Sequence, residues 1–366
     1  MRSSEVSIIA AFAVAGMVVA PRSVQAASGD RITVSGQEFR ARTQRIWING
    51  ANTPWHRWND FGGNFDSVWW DAEFGRLHDN GINATRVWVS CNGNVGINID
   101  SSGYVSGATA AHWSDLDRLF QIAQTHQVYI MATLMSFDHF RKGNPNCLRW
   151  RRWSQSDSNI DSYVTNYVVP FVNRYKNNPY LWSFDLINEP DWVYENAEDG
   201  QIPWVRMQTY WAKAAIAIHA HSPVLVTVGI CMGPKYNSDT ADGHHGNKVS
   251  DASLQAVVAD SGARVDFYAS HYYDWIGHTW GNGVYTTPGA YGMPTDKPNV
   301  FGEMPASGTR SHTTTEDYES AYQHGWQGAM AWTSNGIDSN GSLTRLGPAT
   351  RAFCDNHRQL VFPSLP

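Results

Sequence analysis

Leu181-Trp182-Ser183-Phe184-Asp185-Leu186-Ile187-Asn188-Glu189-Pro190 begins as a mostly apolar run and ends on three residues that break it. A short run of this kind, here residues 181–187, suits a strand buried on both faces, as in a parallel sheet. Pro190 has no amide proton and stops the strand, so Asn188 and Glu189 stand in a rigid turn at its carboxyl end. The same pattern recurs in both directions along the chain. Strands are predicted at 45–48, 84–89 and 128–134 before this segment, and at 224–228, 265–270, 299–302 and 328–332 after it. Helical patterns fall between them, at 66–80, 113–126, 160–176, 203–221, 314–324 and 348–357. In the second of these, Leu116, Leu119, Phe120 and Ala123 share one face, and Ser114 and Asp157 read as helix caps.

Eight strands alternating with helices predict an α/β protein, and eight repeats favour closure into a (β/α)8 TIM barrel. The competing open, doubly wound sheet lacks its usual marks, since neither a GxGxxG after the first strand nor a P-loop is present. A short N-terminal β-hairpin precedes the barrel: 31–34, a Ser35-Gly36 turn, then 38–42. Residues 274–298, rich in Gly, Pro and Tyr, predict a long active-site loop where the sixth helix would be.

Arg2, an apolar stretch over 6–20 and the small-residue pattern Val24-Gln25-Ala26 have the layout of a signal peptide. A leader over 1–27, a single catalytic barrel over 28–366 and a secreted, extracellular monomer are therefore expected. A net charge of −6 speaks against nucleic acid and anionic membrane as partners. The cysteines Cys91, Cys147, Cys231 and Cys354 allow three pairings, of which Cys91–Cys147, both placed after predicted strands, is favoured. None are spaced as a zinc clip. The chain also holds 17 tryptophans, enough to line a groove as well as fill a core.

Barrel chemistry sits at the carboxyl ends of strands. Those ends collect Trp55 after the first strand, with Asn52, His56 and Trp58 near it, then Arg86 and Trp88 on the second and Asp138 and His139 after the third. Asn188 and Glu189 end the fourth, His271 and Tyr273 the sixth, Glu303 the seventh and Trp332 the eighth, with Trp275 in the loop after Tyr273. Glu189 and Glu303 alone among the glutamates follow apolar strands directly. Hydrolysis of a glycosidic bond needs such a pair, one carboxyl to protonate the leaving oxygen and one to attack the anomeric carbon. Arg86 would keep Glu303 ionised, and Tyr273 would donate a hydrogen bond to it. Glu189 would be kept protonated by its surroundings.

The segment Asn173-Arg174-Tyr175-Lys176-Asn177-Asn178-Pro179 running into Leu186-Ile187-Asn188-Glu189-Pro190 resembles glycoside hydrolase family 5. The likeness extends through Arg86-Val87-Trp88, His271-Tyr272-Tyr273, Gly302-Glu303 and Trp332, and so over most of the chain. It implies a retaining TIM-barrel enzyme without cofactor or metal. Glu189 would be the acid/base and Glu303 the nucleophile, with Asn188, Arg86, His271 and Tyr273 supporting them and Trp332 as a sugar platform. Met304-Pro305 departs from the family's usual Phe-Gly, and 136–140 lacks the histidine-bearing pattern of many cellulases. Arg86-x-Trp88 before Cys91-Asn92-Gly93, and 134–140 with its aspartate, look nearer the endo-β-mannanase branch. β-1,4-Mannan is the first expectation, and cellulose or another β-glucan the second. Trp55, Trp58, Trp88, Trp275, Trp280 and Trp332 are candidates for stacking on sugar faces. Two other classes compete. One is a barrel that binds carbohydrate without cleaving it. The other is a metal-dependent hydrolase using Asp242-Gly243-His244-His245 and Asp239.

Overall fold

The computed structural model describes residues 31–238 and 246–363. The leader and the Asp239/His244/His245 cluster lie outside the described residues. Three antiparallel strands come first: β1 (Ile32–Ser35), β2 (Glu38–Ala41) and β3 (Gln44–Ile46). The barrel strands are β4 (Ile48–Asn52), β5 (Ala84–Trp88), β8 (Tyr129–Thr133), β9 (Leu181–Asn188), β10 (Leu225–Ile230), β11 (Tyr268–His271), β12 (Asn299–Pro305) and β13 (Gly328–Trp332). Between β5 and β8 a small antiparallel pair, β6 (Ile97–Ile99) and β7 (Val105–Ala108), decorates one loop. The eight barrel strands are parallel neighbours in chain order, and β13 pairs with β4 to close the ring. This is the (β/α)8 barrel expected.

The continuous apolar runs have their reason in this geometry. Every residue of β4, β5, β8, β9 and β10 is buried, because side chains fill the barrel on one face and meet helices on the other. The hairpin sheet covers the amino-terminal end. Phe39 on β2 meets Trp182 and Phe267 edge-on, with centroids 5.4 and 5.2 Å away. Arg31 fastens this cover by donating to the carbonyls of Lys176, Asn178 and Leu181. Chemistry is thereby confined to the opposite mouth.

Several boundaries differ from the sequence reading. Residues 45–48 are not the first barrel strand: Arg45 and Ile46 pair with β2, and the barrel begins at Ile48. Trp47 alone separates the two sheets, so the apolar run passes unbroken from one to the other. The second helix starts at Ala110 and is capped by Thr109, whose hydroxyl accepts from the His112 amide, so Ser114 is an interior residue. Asp157 lies in the first turn of its helix, behind Ser156. A helix at Cys147–Gln155 was not predicted, although Trp150 and Trp153 stand one helical turn apart; both are buried, and Arg149, Arg151 and Arg152 on its other faces donate to the carbonyls of Ile99, Phe140 and Ser101. Residues 274–298 hold only a four-residue helix, Gly277–Trp280, and one short turn of 3-10 helix, as the long-loop reading anticipated.

The favoured disulfide is absent, and all four cysteines are free thiols. Cys91 is buried among Trp55, Trp88 and Trp332 and accepts from the Asn59 amide, while Cys147 opens a helix of a different loop. Seven of the 17 tryptophans, Trp47, Trp70, Trp150, Trp153, Trp182, Trp211 and Trp326, are fully buried. Each such burial is worth about 3 kcal/mol, so the richness in indole is first a property of the core.

Candidate active site

At the carboxyl mouth of the barrel a cleft of about 620 Å³ is lined by Trp55, Trp58, Trp88, Phe137, Asp138, Arg141, Asn188, Glu189, Trp192, Cys231, Tyr273, Trp275, Glu303, Trp332 and Asp338. Its floor is set by Arg86, which is fully buried on β5. The guanidinium donates to Asp185 Oδ2 from Nε (2.9 Å) and Nη2 (2.7 Å), to Asn188 Oδ1 (2.7 Å), to Asn52 Oδ1 (3.1 Å) and to Glu303 Oε1 (2.7 Å). A buried guanidinium is tolerated when its donors are met by carboxylates in this way. Asp185 is in turn fixed by the Thr133 hydroxyl (3.1 Å) and the Gly229 amide (2.8 Å). A Cβ on Gly229 would stand 3.1 Å from both Asp185 Oδ2 and His271 Nε2 and would press on this network.

Glu303 lies inside β12, which continues to Pro305 and pairs out of register on both sides near this residue. Such irregularities re-aim a side chain. Its Oε1 meets Arg86 and its Oε2 accepts from the Tyr273 hydroxyl at 2.7 Å. Glu189 ends β9 in a left-handed conformation (φ 49°, ψ 57°), an unfavourable state for a residue with a Cβ. Pro190 then occupies the first position of a short helix, Pro190–Glu195, where its missing amide costs nothing. That turn brings Trp192 back so that its indole N–H donates to Glu189 Oε2 at 2.8 Å. His271 Nδ1 lies 2.8 Å from Glu189 Oε1 and 3.6 Å from Glu303 Oε1. One oxygen of each carboxyl lies within 4.8 Å of the other.

The electrostatics separate the two acids. Burial raises both carboxyl pKa values, and repulsion from Glu189 raises Glu303 further. Two such neighbours share one proton before they share none. Glu303 has the cation and the phenol, whereas Glu189 has only neutral donors, the Trp192 indole, the Cys231 thiol and the His271 imidazole, so the proton resides on Glu189. His271 is pushed down to about 4 by burial and is neutral at higher pH. Its Nε2 has no partner among the described residues, which places the ring proton on Nδ1, donating to Glu189.

Of the remaining residues singled out in the sequence, Asn188, Trp55, Trp88, Trp332, Asp138 and Trp275 line the cleft. The Asn188 carboxamide oxygen is already taken by Arg86. Asp138, held by the Ser136 hydroxyl, is pushed up to about 6 by burial. His139 is not in the lining: it is fully buried, bonded to Ser90 and Ser136 and packed edge-on against Trp150. Trp280 is also outside the cleft and packs against the main core. Residues passed over in the sequence are Asp185, Trp192, Cys231, Arg141, Asp191 and Asp338. Asp185 had a visible signal, a charge within an apolar strand. Trp192 and Asp191 follow the strand end inside a helix turn and had none. Asp191 is buried and accepts from the Cys231 and Met232 amides, and burial, with repulsion from Glu189, pushes it up to about 8.

Glu189, His271 and Glu303 form the one group among the described residues whose donor atoms converge as a metal would need. The Arg86 guanidinium, 2.7 Å from Glu303, occupies the place of the countercharge and opposes a cation there.

No family model matches the chain. It is 26% identical over 344 residues to a mannan endo-1,4-beta-mannosidase of Mytilus edulis, covering 86% of this chain and 90% of that protein. A mannan endo-1,4-beta-mannosidase of Cryptopygus antarcticus is 25% identical over 339 residues, covering 84% and 85%. Among solved structures, the endo-1,4-beta-mannanase of Eisenia fetida superimposes with a TM-score of 0.77 at 25% identity, over 88% of this chain and 94% of that one.

Proposed function

We propose that the chain is a glycoside hydrolase of family 5, on its mannanase side, and that it cuts β-1,4-mannan internally with retention of configuration. The observation that carries this is the close carboxyl pair, Glu303 on Arg86 and Tyr273 and Glu189 on Trp192 and His271, in an open aromatic cleft. Retaining pairs stand about 5 to 5.5 Å apart, whereas inverting pairs need roughly 6.5 to 9.5 Å to admit a water between acid and base. The names of the relatives support mannan over glucan.

The roles follow from the environments. Glu303, ionised beside Arg86, attacks the anomeric carbon, and the bond from that carbon to the bridging oxygen breaks. Glu189 gives its proton to that oxygen, and the shortened polymer leaves. A glycosyl ester on Glu303 remains. Glu189, now a carboxylate, takes a proton from water whose oxygen attacks the same carbon, and Glu303 is released with the sugar in its starting configuration. Arg86 and Tyr273 each donate to one Glu303 oxygen and fix the carboxylate, which keeps a further lone pair free for the attack. Asp138, Trp55, Trp88, Trp275 and Trp332 bind the chain, and Trp332 forms the platform nearest the reacting sugar. The polysaccharide is the only partner this site needs, and the protein works as a monomer. Residues 1–27 direct export and are removed, which places the enzyme with an extracellular polymer; among the described residues no helix is long and apolar enough to cross a membrane.

One assay set tests the reading. Viscosity of a soluble mannan should fall well before reducing ends accumulate, and NMR of the first product should show the β-anomer before mutarotation. Faster release from carboxymethylcellulose or lichenan than from mannan would replace the substrate. The α-anomer appearing first would remove the double displacement.

A further inference from the structure

The loop after β13 is bent in an unusual way at the rim of the cleft. Gly336 and Gly341 have φ of 77° and 65°, and between them Asp338 and Ser339 also take positive φ, 56° and 60°. Two consecutive residues with side chains in the left-handed region persist only where the surroundings fix them. Here they do. The Thr333 hydroxyl donates to the Asn340 carbonyl and accepts from the Ile337 amide, Asn335 donates to the Trp55 carbonyl at 2.7 Å, and Ile337 packs on the Trp55, Trp88 and Trp332 cluster. At the apex of this braced turn stands Asp338, exposed and lining the cleft. Among the described residues its carboxylate takes no hydrogen bond or ion pair, although Asp138, the other aspartate of the lining, has both.

A strained turn that spends four loop contacts to display one unpartnered carboxylate beside an aromatic platform has the chemistry of a sugar-binding group. Pyranose recognition combines an apolar face on an indole with a carboxylate accepting from hydroxyls at the ring edge. The side of the cleft can also be assigned. Glu189, with Trp192 and Trp275 against it, faces the leaving group, because it protonates the bridging oxygen. The Trp332 end, from which the Asp338 loop springs, then holds the sugars that stay on Glu303.

We infer that Asp338 is a specificity-determining residue for the retained part of the polymer, accepting hydrogen bonds from sugar hydroxyls on the non-leaving side of the scissile bond. The inference rests on the endo-mannanase reading and deepens it. Asp338→Gly is the informative variant, since glycine adopts the left-handed turn without penalty and removes only the carboxylate. On mannopentaose its KM should rise about tenfold, the loss of one hydrogen bond to a charged group, with kcat within about twofold. The distribution of cleaved bonds, read by mass spectrometry of products formed in 18O-water, should shift toward modes that fill the Trp275 side. Asp338→Asn, which keeps an acceptor and tolerates the turn, should fall between the two. An Asp338→Gly enzyme of unchanged melting temperature, KM and cleavage pattern would overturn the inference. A fall in melting temperature with the cleavage pattern unchanged in both variants would do so too, since it would make the residue a structural one. Should the wild-type enzyme prefer a β-glucan, the mannan reading fails by itself, and the same comparison on cellopentaose decides the role of Asp338.

Discussion

The two sides of the cleft are built on different plans. Around Glu303 everything is locked. Arg86 is clamped by Asp185, Asn188 and Asn52, and above it Trp55 meets Trp88 and Trp332 edge to face while those two tilt against each other, at 5.0 to 6.1 Å, with no more than 8% of any of the three exposed. Around Glu189 the partners are all neutral and the surroundings more open. The carboxyl is 13% exposed, its indole donor sits on a six-residue helix, and Trp275, tilted against Trp192 at 5.8 Å, is 47% exposed. A nucleophile must meet one carbon at one distance, and a preorganised surround serves that. A leaving group must arrive and depart as the bond is made and broken, which an open platform permits.

The sharpest break in this comparison is chemical. Glu303→Ala should cost on the order of 10⁴-fold to 10⁶-fold in kcat/KM on every substrate, the range seen when a nucleophile is removed. Glu189→Ala should cost about 10²-fold to 10⁴-fold on the polymer, as loss of general acid catalysis does. On an aryl mannoside with a highly acidic phenol, Glu189→Ala should leave formation of the glycosyl ester nearly intact, because that group departs unprotonated. Equal losses for both variants on both substrates would erase the division of labour. The next effect is on folding. Trp55→Ala removes a ring that touches Trp58, Trp88 and Trp332, and should destabilise by about 3–5 kcal/mol. Thermal melts of the variant should show it, whereas Trp275→Ala should leave the melting temperature nearly unchanged.

How much of this was legible in the sequence depended on where a residue stands. Strand ends were legible: Arg86, Asn188, Glu189, His271, Tyr273, Glu303 and Trp332 each follow or close an apolar run, and the barrel gathers such positions by its topology. Residues placed by a turn after the strand were not. Trp192 and Asp191 reach Glu189 and the Cys231 turn only because Pro190 starts a helix at once. His139 looked like a strand-end residue, but a short helix turn over Phe137–His139 rotates it down into Ser90 and Trp150. The first barrel strand was misplaced for a different reason. Its own sequence, Ile48-Asn49-Gly50-Ala51-Asn52, is poor in β-branched residues, and the better strand former beside it belongs to the bottom sheet.

Proton placement sharpens the comparison further. The alkaline limb of kcat/KM should report loss of the proton from Glu189, and burial sets it above the ordinary glutamate range. The Trp192 N–H favours the ionised carboxyl, so Trp192→Phe should move that limb to higher pH. The acidic limb, where Glu303 gains a proton, should stay in place, since Arg86 and Tyr273 are untouched. Asp191 gives a separate signal in stability. Its folded pKa of about 8 lies above the unfolded value, so its contribution is intact below about pH 4 and is lost as pH rises toward 8. Asp191→Asn should therefore melt higher than the parent at pH 8, with the gap closing toward pH 4. A gap independent of pH would assign the effect to packing.

The smallest effect is expected on the open side, and it distinguishes a platform from a wall. Trp275 is tilted against Trp192, lines the cleft and has nearly half of its surface exposed. A stacked sugar gains about 0.5–1.5 kcal/mol there beyond the area it buries, so Trp275→Ala should raise KM for long mannan about threefold to tenfold. For a ring that stacks on the leaving part of the chain, the loss should be small for substrates with only one sugar beyond the scissile bond and should grow with chain length on that side. The rate at saturation should change little, since neither Glu189 nor its Trp192 donor is removed. Removing Trp275 has a second consequence that a mere wall would not share. With the platform weakened, an acceptor sugar competes less well with water for the glycosyl ester, so at high oligosaccharide concentration the ratio of transfer to hydrolysis products should fall. A Trp275→Ala enzyme with the parent KM at every chain length and an unchanged product ratio would mean that sugars pass this ring without stacking on it. The open side would then be a solvent channel, and the leaving group would be held by Glu189 and Trp192 alone.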